Sequence, residues 1–365
     1  MKPIAALVLL LLGLSSFAQA QVRREVFTVQ LGDFQSKGEI TYPASGTGPF
    51  PTVLLIHGST PMDMNATVQD STRVHSRIFQ QIAEYLPSKG FAVVRYNKRY
   101  VTAPGQVDAQ KFYGLKLRDF QADATTVLEF ARTNALVDKS KLFVYGWSEG
   151  SPIAASLALG DPGVRGVIVQ GAVAASYAQV FQQQFPRVGL PYLMRYAVNG
   201  KIDLDGARRA LNGDGGLLAR SFAVYLFENG RRDATRLNPY MDQNGDGFID
   251  LEREATPVFA YFYQDSPQTL GLYSSALALP GLIDLAPKLT TPVLILQGEN
   301  DANTASEGAR ALDAALAKNA DHTLKVYPGL GHSLGAAKDV IDDDFRPMDN
   351  KPLEDLAAWL AARAK

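Results

Sequence analysis

The chain has 365 residues, a length that suits one large domain carrying an insertion. Hydrophobic residues make up 46% and charged residues 20%, as in globular proteins, and the formal net charge of −1 argues against nucleic acid or an anionic membrane surface as a bulk partner. Cysteine is absent, which excludes disulfides and a lipid-modified cysteine, so the hydrophobic core must supply the stability of the fold.

The first 20 residues have the pattern of a secretory signal peptide. Lys2 provides the positive charge, an apolar run follows at 4–14, and Ala18-Gln19-Ala20 provides an A-x-A cleavage site. The apolar run is shorter than the roughly 18 residues of a membrane span, which favours cleavage over an uncleaved anchor. We therefore expect removal of 1–20, a secreted or periplasmic location and no stable membrane anchor.

Strand and helix patterns alternate through most of the remaining chain. The predicted strands lie at 25–30, 38–42, 52–56, 91–96, 141–146, 166–170, 291–297 and 323–327. The predicted helices lie at 76–86, 115–133, 152–159, 304–318 and 353–364. This alternation predicts an α/β fold with a mostly parallel central sheet and helices on both faces.

The pattern changes between 172 and 288. This stretch is rich in Gln, Arg, Tyr and Phe, shows no convincing buried strand at 177–261, and has helical patterns at 178–185, 192–197 and 216–227. We interpret 172–288 as a helical cap inserted over the active-site edge of the sheet. The core is then formed by 21–171 and 289–365.

One short stretch, 142–150, carries the strongest functional signal. It begins as an apolar strand and turns at Gly146-Trp147-Ser148-Glu149-Gly150, and a helical segment with Pro152 in its first turn follows. A G-x-S-x-G sequence between a strand and a helix is the nucleophile elbow, in which the serine projects above the sheet edge. Ser148 is therefore the predicted nucleophile, and the backbone N–H of Glu149 is a predicted oxyanion donor.

A serine nucleophile needs a general base, and the chain has four histidines from which to choose. His57 and His75 precede the serine, and His322 stands at the start of the last predicted strand. His332 follows that strand in a glycine-rich loop, in the chain order Ser, acid, His of this elbow type. We therefore predict His332 as the base.

The orienting acid should follow the penultimate strand, where the chain reads Gly298-Glu299-Asn300-Asp301. Asp301 has the more frequent spacing, and Glu299 is the fallback; either one, but not both, could instead cap the helix that begins near Thr304. The second oxyanion donor is predicted in the loop after the strand at 52–56, as the backbone N–H of Ser59. His57 should then hold that loop by its side chain.

Five motifs together resemble the α/β-hydrolase superfamily, and most closely its secreted or periplasmic esterase-like members, relatives of serine aminopeptidases and dienelactone hydrolases. They are H-G-S-T-P-M-D-M-N at 57–65, R-Y-N-K-R at 95–99, G-W-S-E-G at 146–150, G-E-N-D at 298–301 and G-L-G-H-S at 329–333. The resemblance covers 25–170 and 289–365 and implies hydrolysis of an ester, thioester or amide through an acyl-serine, without a cofactor. This chain departs from the usual pattern at Thr60, Met64, Asn97 and Tyr100, where glycine, arginine, aspartate and glycine are common.

A second motif lies within the predicted cap, where 242–253 resembles an EF-hand calcium loop. Its oxygen ligands would be Asp242, Asn244, Asp246, the Phe248 carbonyl and Asp250. Gly247 and Ile249 also fit the pattern, but Arg253 stands where a bidentate glutamate is expected. The motif predicts a structural calcium ion, and the alternative is a solvated acidic turn.

Three functions remain compatible with these features. The first is a secreted serine esterase acting on small to medium acyl esters. A serine peptidase or thioesterase could use the same fold, and a peptidase could anchor a free terminus through Glu228, Arg231 or Arg232. The third is a calcium-stabilised binding protein with an inactive hydrolase core. The oligomeric state is left open.

Overall fold

The computed structural model describes residues 22–365, so the predicted signal segment at 1–20 lies outside the described residues. A central sheet of eight strands organises the molecule. Its strands are β1 (Arg23–Leu31), β2 (Phe34–Tyr42), β3 (Phe50–Ile56), β4 (Ala92–Tyr96), β5 (Val137–Trp147), β6 (Val164–Gln170), β7 (Val293–Gly298) and β8 (His322–Tyr327). Their order across the sheet is β1-β2-β4-β3-β5-β6-β7-β8. β2 is antiparallel to both of its neighbours, and all the other pairs are parallel.

Helices cover both faces of this sheet. The helices are α1 (Ile78–Tyr85), α2 (Leu117–Thr133), α3 (Gly150–Gly160), α4 (Tyr177–Gln184), α5 (Leu190–Met194), α6 (Leu204–Leu211), α7 (Leu217–Val224), α8 (Thr256–Phe262), α9 (Leu282–Leu285), α10 (Ser306–Ala315) and α11 (Asn350–Arg363), with single turns at Ala109–Phe112 and Pro267–Leu270. α2, α3 and α10 pack on one face, and α1 and α11 on the other. The predicted fold class is confirmed.

The apolar runs of the central strands follow from this two-sided burial. In β3, Leu54 and Ile56 belong to the core cluster beneath α2, α3 and α10, whereas Val53 and Leu55 belong to the cluster beneath α1 and α11. Because successive side chains alternate between faces, a parallel strand covered on both sides needs apolar residues at every position. The parallel strands end at one edge of the sheet, and the loops that follow them converge there.

Several helix boundaries differ from the predicted ones, and two of these differences have local reasons. Residues Val74–Arg77 form a short strand paired with Thr67–Gln69, so α1 begins after them and two residues later than predicted. The last helix begins three residues earlier than predicted. The Asp349 side chain caps it by accepting from Lys351 N, and Pro352 fits in its first turn.

Residues 172–288 are mainly helical and contain α4 to α9. They enclose a separate apolar cluster in which the rings of Phe185, Phe222 and Phe259 pack against one another, with centroids 4.1 to 5.4 Å apart. The expectation of no buried strand at 177–261 is wrong for one short ribbon, in which Lys201–Asp203 pairs with Phe248–Asp250. Its Ile202 and Ile249 are buried in the same cluster, and three-residue strands are too short to give a periodic signal.

None of the helices within 22–365 combines the length and the hydropathy needed to cross a bilayer.

Candidate active site

The turn between β5 and α3 holds Ser148 in a backbone conformation that few residues adopt. Its φ is +54°, in the left-handed region that costs energy for any residue with a side chain. A Cβ added to Gly146 would lie 2.2 Å from the Gly150 carbonyl oxygen, and one added to Gly150 would lie 2.3 Å from the Ile56 oxygen. Both glycines are therefore required by close backbone approach, as a nucleophile elbow demands.

Asp301 and His332 form a buried pair at the same edge of the sheet. Asp301 follows β7 and is fully buried, and its Oδ2 lies 2.8 Å from His332 Nδ1. Oδ2 also accepts from Gln297 Nε2 at 2.9 Å and Thr304 Oγ1 at 2.8 Å, and Oδ1 accepts from the backbone N–H of Thr304. The fallback acid, Glu299, is exposed to solvent. The structure thus brings Asp301 to the histidine, while Asp301 also caps the turn before α10.

The two partners of this pair stabilise each other's charged forms. Burial by itself would raise the pKa of Asp301, but the His332 ring and the hydrogen bonds from Thr304 outweigh it and hold that pKa below its usual range. Burial would lower the pKa of His332, but the Asp301 carboxylate outweighs it, so the pKa of His332 is raised. The arrangement therefore favours an imidazolium at the moment when a base must accept a proton.

The His332 backbone is held by side chains to which the sequence analysis assigned no role. Gln170 Nε2 and Trp147 Nε1 donate to its carbonyl oxygen at 2.9 and 3.2 Å, and its N–H donates to Asp343 Oδ2 at 2.8 Å. Asp343 also accepts from the N–H of Ala302 at 2.9 Å. One buried carboxylate therefore joins the loop after β7, which bears Asp301, to the loop after β8, which bears His332. Burial, followed by repulsion from Asp301, raises the pKa of Asp343 to about 6.

The other three histidines lie outside the cavity and contact structural partners. His57 Nε2 lies 3.1 Å from the Asp63 carbonyl oxygen, and burial together with the ammonium of Lys98 lowers the pKa of His57 to about 3. His75 lies between the carboxylates of Asp70 and Asp344, at 3.0 and 3.1 Å. His322 lies at the far end of β8 from this site. Of the four, His332 is the one that lines a cavity with Ser148.

One buried cation, Lys98, contacts the segments that contain the two predicted oxyanion residues. Ser59 lies on the cavity wall, while the Glu149 side chain points away from it into the protein. Lys98 Nζ donates to Glu149 Oε1 at 2.8 Å and to the Gly58 carbonyl oxygen at 2.6 Å. Tyr273 donates to Glu149 Oε2 at 2.5 Å. The sequence marked Lys98 as part of a motif but assigned it no role.

The cavity above Ser148 has a volume of about 470 Å³ and a mainly apolar wall. Core residues form part of it, and the α7 residues Leu217, Leu218 and Ser221 form another part. Apart from His332 and Asp63, no ionisable side chain within 22–365 lines it. The Asp63 carboxylate is already occupied, because it accepts from the backbone N–H of Thr67 and of Asn65.

The predicted calcium loop forms a tight turn in the structure. Asn244 accepts from the Asp246 N–H, Asp246 from the Phe248 N–H, and Asp250 from the N–H groups of Glu252 and Arg253. In the part of the chain that the structure describes, no three His, Asp or Glu side chains converge as a metal-binding group. Lys201 Nζ donates to Asp246 Oδ2 at 2.9 Å, and Asp242 Oδ1 is buried without a hydrogen-bond partner.

Known proteins share parts of this sequence. Esterase EstD of Thermotoga maritima is 36% identical over 121 residues, which are 33% of this chain and 26% of the relative. The human monoglyceride lipase is 36% identical over 77 residues, or 21% of this chain and 23% of the relative. The chain thus aligns with about a quarter of each of these relatives.

Solved structures share its fold at low sequence identity. A hypothetical protein from Pseudomonas aeruginosa matches with a TM-score of 0.52 and 13% identity, covering 94% of both chains. DcsB, solved in complex with its substrate analogue, matches with a TM-score of 0.50 and 15% identity, covering 94% of this chain and 99% of that one.

The family described as serine aminopeptidase, S33, matches residues 72–221 and 241–338, which are together more than half of the chain. These segments contain Ser148, Asp301 and His332. With the observed sheet order and elbow, the match identifies the chain as an α/β-hydrolase that belongs to the serine aminopeptidase S33 family.

Proposed function

We propose that this protein is a serine esterase that cleaves carboxylic esters through an acyl-serine intermediate. The observation that carries the proposal is the buried Asp301–His332 pair at the cavity where Ser148 stands on its strained elbow. Ser148 is the proposed nucleophile, His332 the base and Asp301 the group that orients the base. The backbone N–H groups of Glu149 and Ser59 are the proposed oxyanion donors.

In this mechanism Ser148 Oγ attacks the ester carbonyl carbon while the Ser148 hydroxyl proton passes to His332 Nε2. The negative charge that forms on the carbonyl oxygen is stabilised by the two backbone N–H groups. The bond to the alcohol oxygen then breaks, and the leaving group takes the proton from His332. Water attacks the acyl-serine with His332 again as base, which releases the carboxylic acid and restores Ser148. Asp301 stabilises the imidazolium in both steps.

An ester fits this cavity better than a peptide with a free terminus. A charged terminus needs a counter-charge, and the cavity wall supplies only the occupied carboxylate of Asp63 besides the proposed base. The anchors considered from the sequence, Glu228, Arg231 and Arg232, do not line it. The esterase and lipase names of the two curated relatives also favour an ester. We further propose that 172–288 acts as a cap, since Leu217 and Leu218 complete the apolar wall.

A fluorophosphonate probe tests the enzyme proposal directly. Wild type should be labelled, Ser148→Ala should not, and His332→Gln should be labelled more slowly by several orders of magnitude. His322→Gln is the matched control, because it removes a histidine that lies outside the cavity. Absence of labelling in wild type would refute the enzyme reading and favour the calcium-stabilised binding protein.

A substrate panel then separates the ester from its rivals. Wild type should hydrolyse p-nitrophenyl esters faster than aminoacyl anilides and acyl thioesters, because an uncharged apolar wall matches an acyl chain. A preference for the anilides would favour the peptidase alternative, and a preference for thioesters the thioesterase.

We also propose that the protein is exported and loses 1–20. Lys2, the apolar run at 4–14 and the A-x-A site at 18–20 support this. N-terminal sequencing of the protein recovered from periplasm or medium should begin at Gln21. An intact N-terminus in the cytosolic fraction alone would contradict the proposal.

We propose a structural calcium ion for the loop at 242–253, supported by its EF-hand spacing and by the buried, unpartnered Oδ1 of Asp242. It would fix the loop and take no part in ester cleavage.

A further inference from the structure

Lys98 is a buried cation at the base of the active site. It follows β4, and its ammonium donates to the carbonyl oxygens of Gly58 at 2.6 Å and Thr60 at 3.2 Å, as well as to Glu149 Oε1 at 2.8 Å. The ring of Phe120 lies beneath it, with Nζ 4.4 Å from the ring centroid. Burial of a lysine is costly unless every donor is used, and here three acceptors and a ring surround it.

The contact with Gly58 controls the direction of a neighbouring N–H. The Gly58 oxygen and the Ser59 nitrogen belong to one peptide unit, and the cis peptide found within 22–365 lies elsewhere. In a trans peptide the C=O and N–H point in opposite directions. With its oxygen turned toward Lys98, this peptide presents the Ser59 N–H on the opposite side. On the active-site side, a Cβ added to Gly58 would lie 3.2 Å from Ser148 Cβ.

We propose that Lys98 is a positioning residue that fixes the Gly58–Ser59 peptide so that the Ser59 N–H faces the developing oxyanion. This inference rests on the proposed esterase function. A flip of that one peptide would turn the carbonyl oxygen toward the oxyanion and replace an attraction by a repulsion.

The loop needs such a constraint because it contains strain of its own. Thr60 has a φ of +74°, which a β-branched residue rarely adopts, and its side chain is exposed and adds little packing. Lys98 holds the carbonyl groups on both sides of Ser59, at Gly58 and at Thr60. A cation bound to an amide oxygen also polarises the amide, which makes the N–H of that amide a stronger donor.

The same ammonium connects the two proposed oxyanion donors. Glu149 contributes its backbone N–H to the site and its carboxylate to Lys98, and Tyr273 holds the second carboxylate oxygen at 2.5 Å. The ion pair leaves little net charge at this point, so Lys98 acts through geometry more than through its field on the substrate. Tyr273 lies in 172–288, so this stretch also contributes to the arrangement.

Lys98→Met tests the inference through a separation of kcat from KM. The oxyanion forms only in the transition state, so we expect kcat to fall by about 100-fold while KM changes little. Affinity for an aryl trifluoromethyl ketone, which forms an oxyanion on Ser148, should fall by a similar factor. Arg99→Met is the matched control: it breaks the neighbouring, partly buried pair with Asp123, should lower the melting temperature, and should leave kcat near the wild-type value.

A double variant, Lys98→Met with Glu149→Gln, removes the complication of a stranded buried carboxylate. If Lys98 orients the peptide, kcat of the double variant stays as low as that of Lys98→Met. Recovery of wild-type kcat in the double variant would overturn the inference, because Lys98 would then serve only to neutralise Glu149. If the fluorophosphonate does not label wild type, both the esterase proposal and this inference are overturned. If wild type is active and Lys98→Met keeps the wild-type kcat, this inference alone is overturned.

Discussion

At the residue scale, two departures from the α/β-hydrolase pattern coincide with unusual backbone. Thr60 and Tyr100 stand where glycine is common, and their φ values are +74° and +66°. Glycine enters this region freely, whereas other residues do so at a cost. The two positions nevertheless differ in their surroundings. Tyr100 packs against Phe34 and bonds Asp33, while the Thr60 side chain is exposed.

Thr60→Gly should therefore stabilise the protein. The substitution relieves left-handed backbone strain of about 1–2 kcal/mol. It costs roughly 0.5–1 kcal/mol, because glycine has more conformational entropy in the unfolded chain. The net gain in the free energy of unfolding is therefore below about 1.5 kcal/mol. Urea unfolding measures this difference. Tyr100→Gly is the comparison variant and should lower stability, because it removes packing and a hydrogen bond as well as strain. Equal destabilisation by both changes would contradict the strain argument.

A second residue-scale feature is Asp343, whose carboxylate lies beside the proposed triad. Its charge contributes to the raised pKa of His332, after the larger effects of burial and Asp301. Its Oδ2 binds the N–H groups of His332 and Ala302. An asparagine oxygen could accept both of these bonds, so the charge can be removed with little change in shape.

Asp343→Asn should shift the pH dependence of kcat/KM. Loss of the negative charge destabilises the imidazolium, so the pKa of His332 falls and the neutral base is present at lower pH. The rising limb of the profile, which lies above the ordinary histidine pKa in wild type, then moves toward acid. Asp342→Asn is the control, since that carboxylate pairs with Arg346. A limb that stays in place in Asp343→Asn would contradict the assignment.

At the scale of elements, the ribbon within 172–288 joins two similar short sequences. Residues 199–205 read N-G-K-I-D-L-D and residues 246–252 read D-G-F-I-D-L-E, and their strands pair antiparallel with Ile202 opposite Ile249. In each, the aspartate that ends the strand caps the helical turn that follows. The second sequence also carries the oxygen-rich loop, whereas the first places Lys201 against Asp246.

Calcium should raise the melting temperature if the loop at 242–253 binds it. Binding to the folded state adds about 1.4 kcal/mol at a free calcium concentration ten times the dissociation constant. Melting curves in calcium and in EDTA measure the shift. It should vanish in Asp242→Asn and persist in Asp233→Asn, whose carboxylate lies outside the loop and pairs with Arg231. Identical melting in calcium and EDTA would refute the metal site.

At the scale of the whole molecule, partly buried polar contacts join residues 172–288 to loops around the candidate active site. Arg187, between α4 and α5, donates to the carbonyl oxygens of Asp301 and Ala302 at 2.7 and 2.6 Å. Arg220 of α7 reaches Asp70 and Asp344 at 3.3 and 3.4 Å. The Arg187 contacts hold the loop that bears Asp301, so residues 172–288 also support the geometry of the candidate site.

Arg187→Met should therefore impair both stability and catalysis. Loss of two charged hydrogen bonds should lower the free energy of unfolding by about 2 kcal/mol, and loosening of the loop that bears Asp301 should lower kcat by roughly tenfold. Urea unfolding measures the change in stability, and steady-state assays with an ester substrate measure the change in kcat. Arg208→Met, at an exposed arginine of 172–288 with a surface ion pair, should change neither noticeably. An unaltered kcat in Arg187→Met would show that the acid loop is rigid without this contact.

The sequence by itself determined the fold class and pointed to Ser148, Asp301 and His332, for reasons that are local. Strand and helix periods, two glycines around a serine, and one histidine in a glycine-rich loop are all properties of short segments. Family resemblance supported the same residues by motif. The structure then brought the acid and base together at 2.8 Å and left Glu299 in solvent, which spacing alone could not decide.

Tertiary structure alone decided which distant groups meet. Lys98 contacts the loop at Gly58, Asp343 joins the loops that bear Asp301 and His332, and Arg187, within 172–288, contacts Asp301. These partners are separated by 11 to 114 residues along the chain. Local sequence patterns carry no information on such pairs. A charged residue in an amphipathic or loop segment has the same local pattern whether the folded chain buries it or leaves it in solvent.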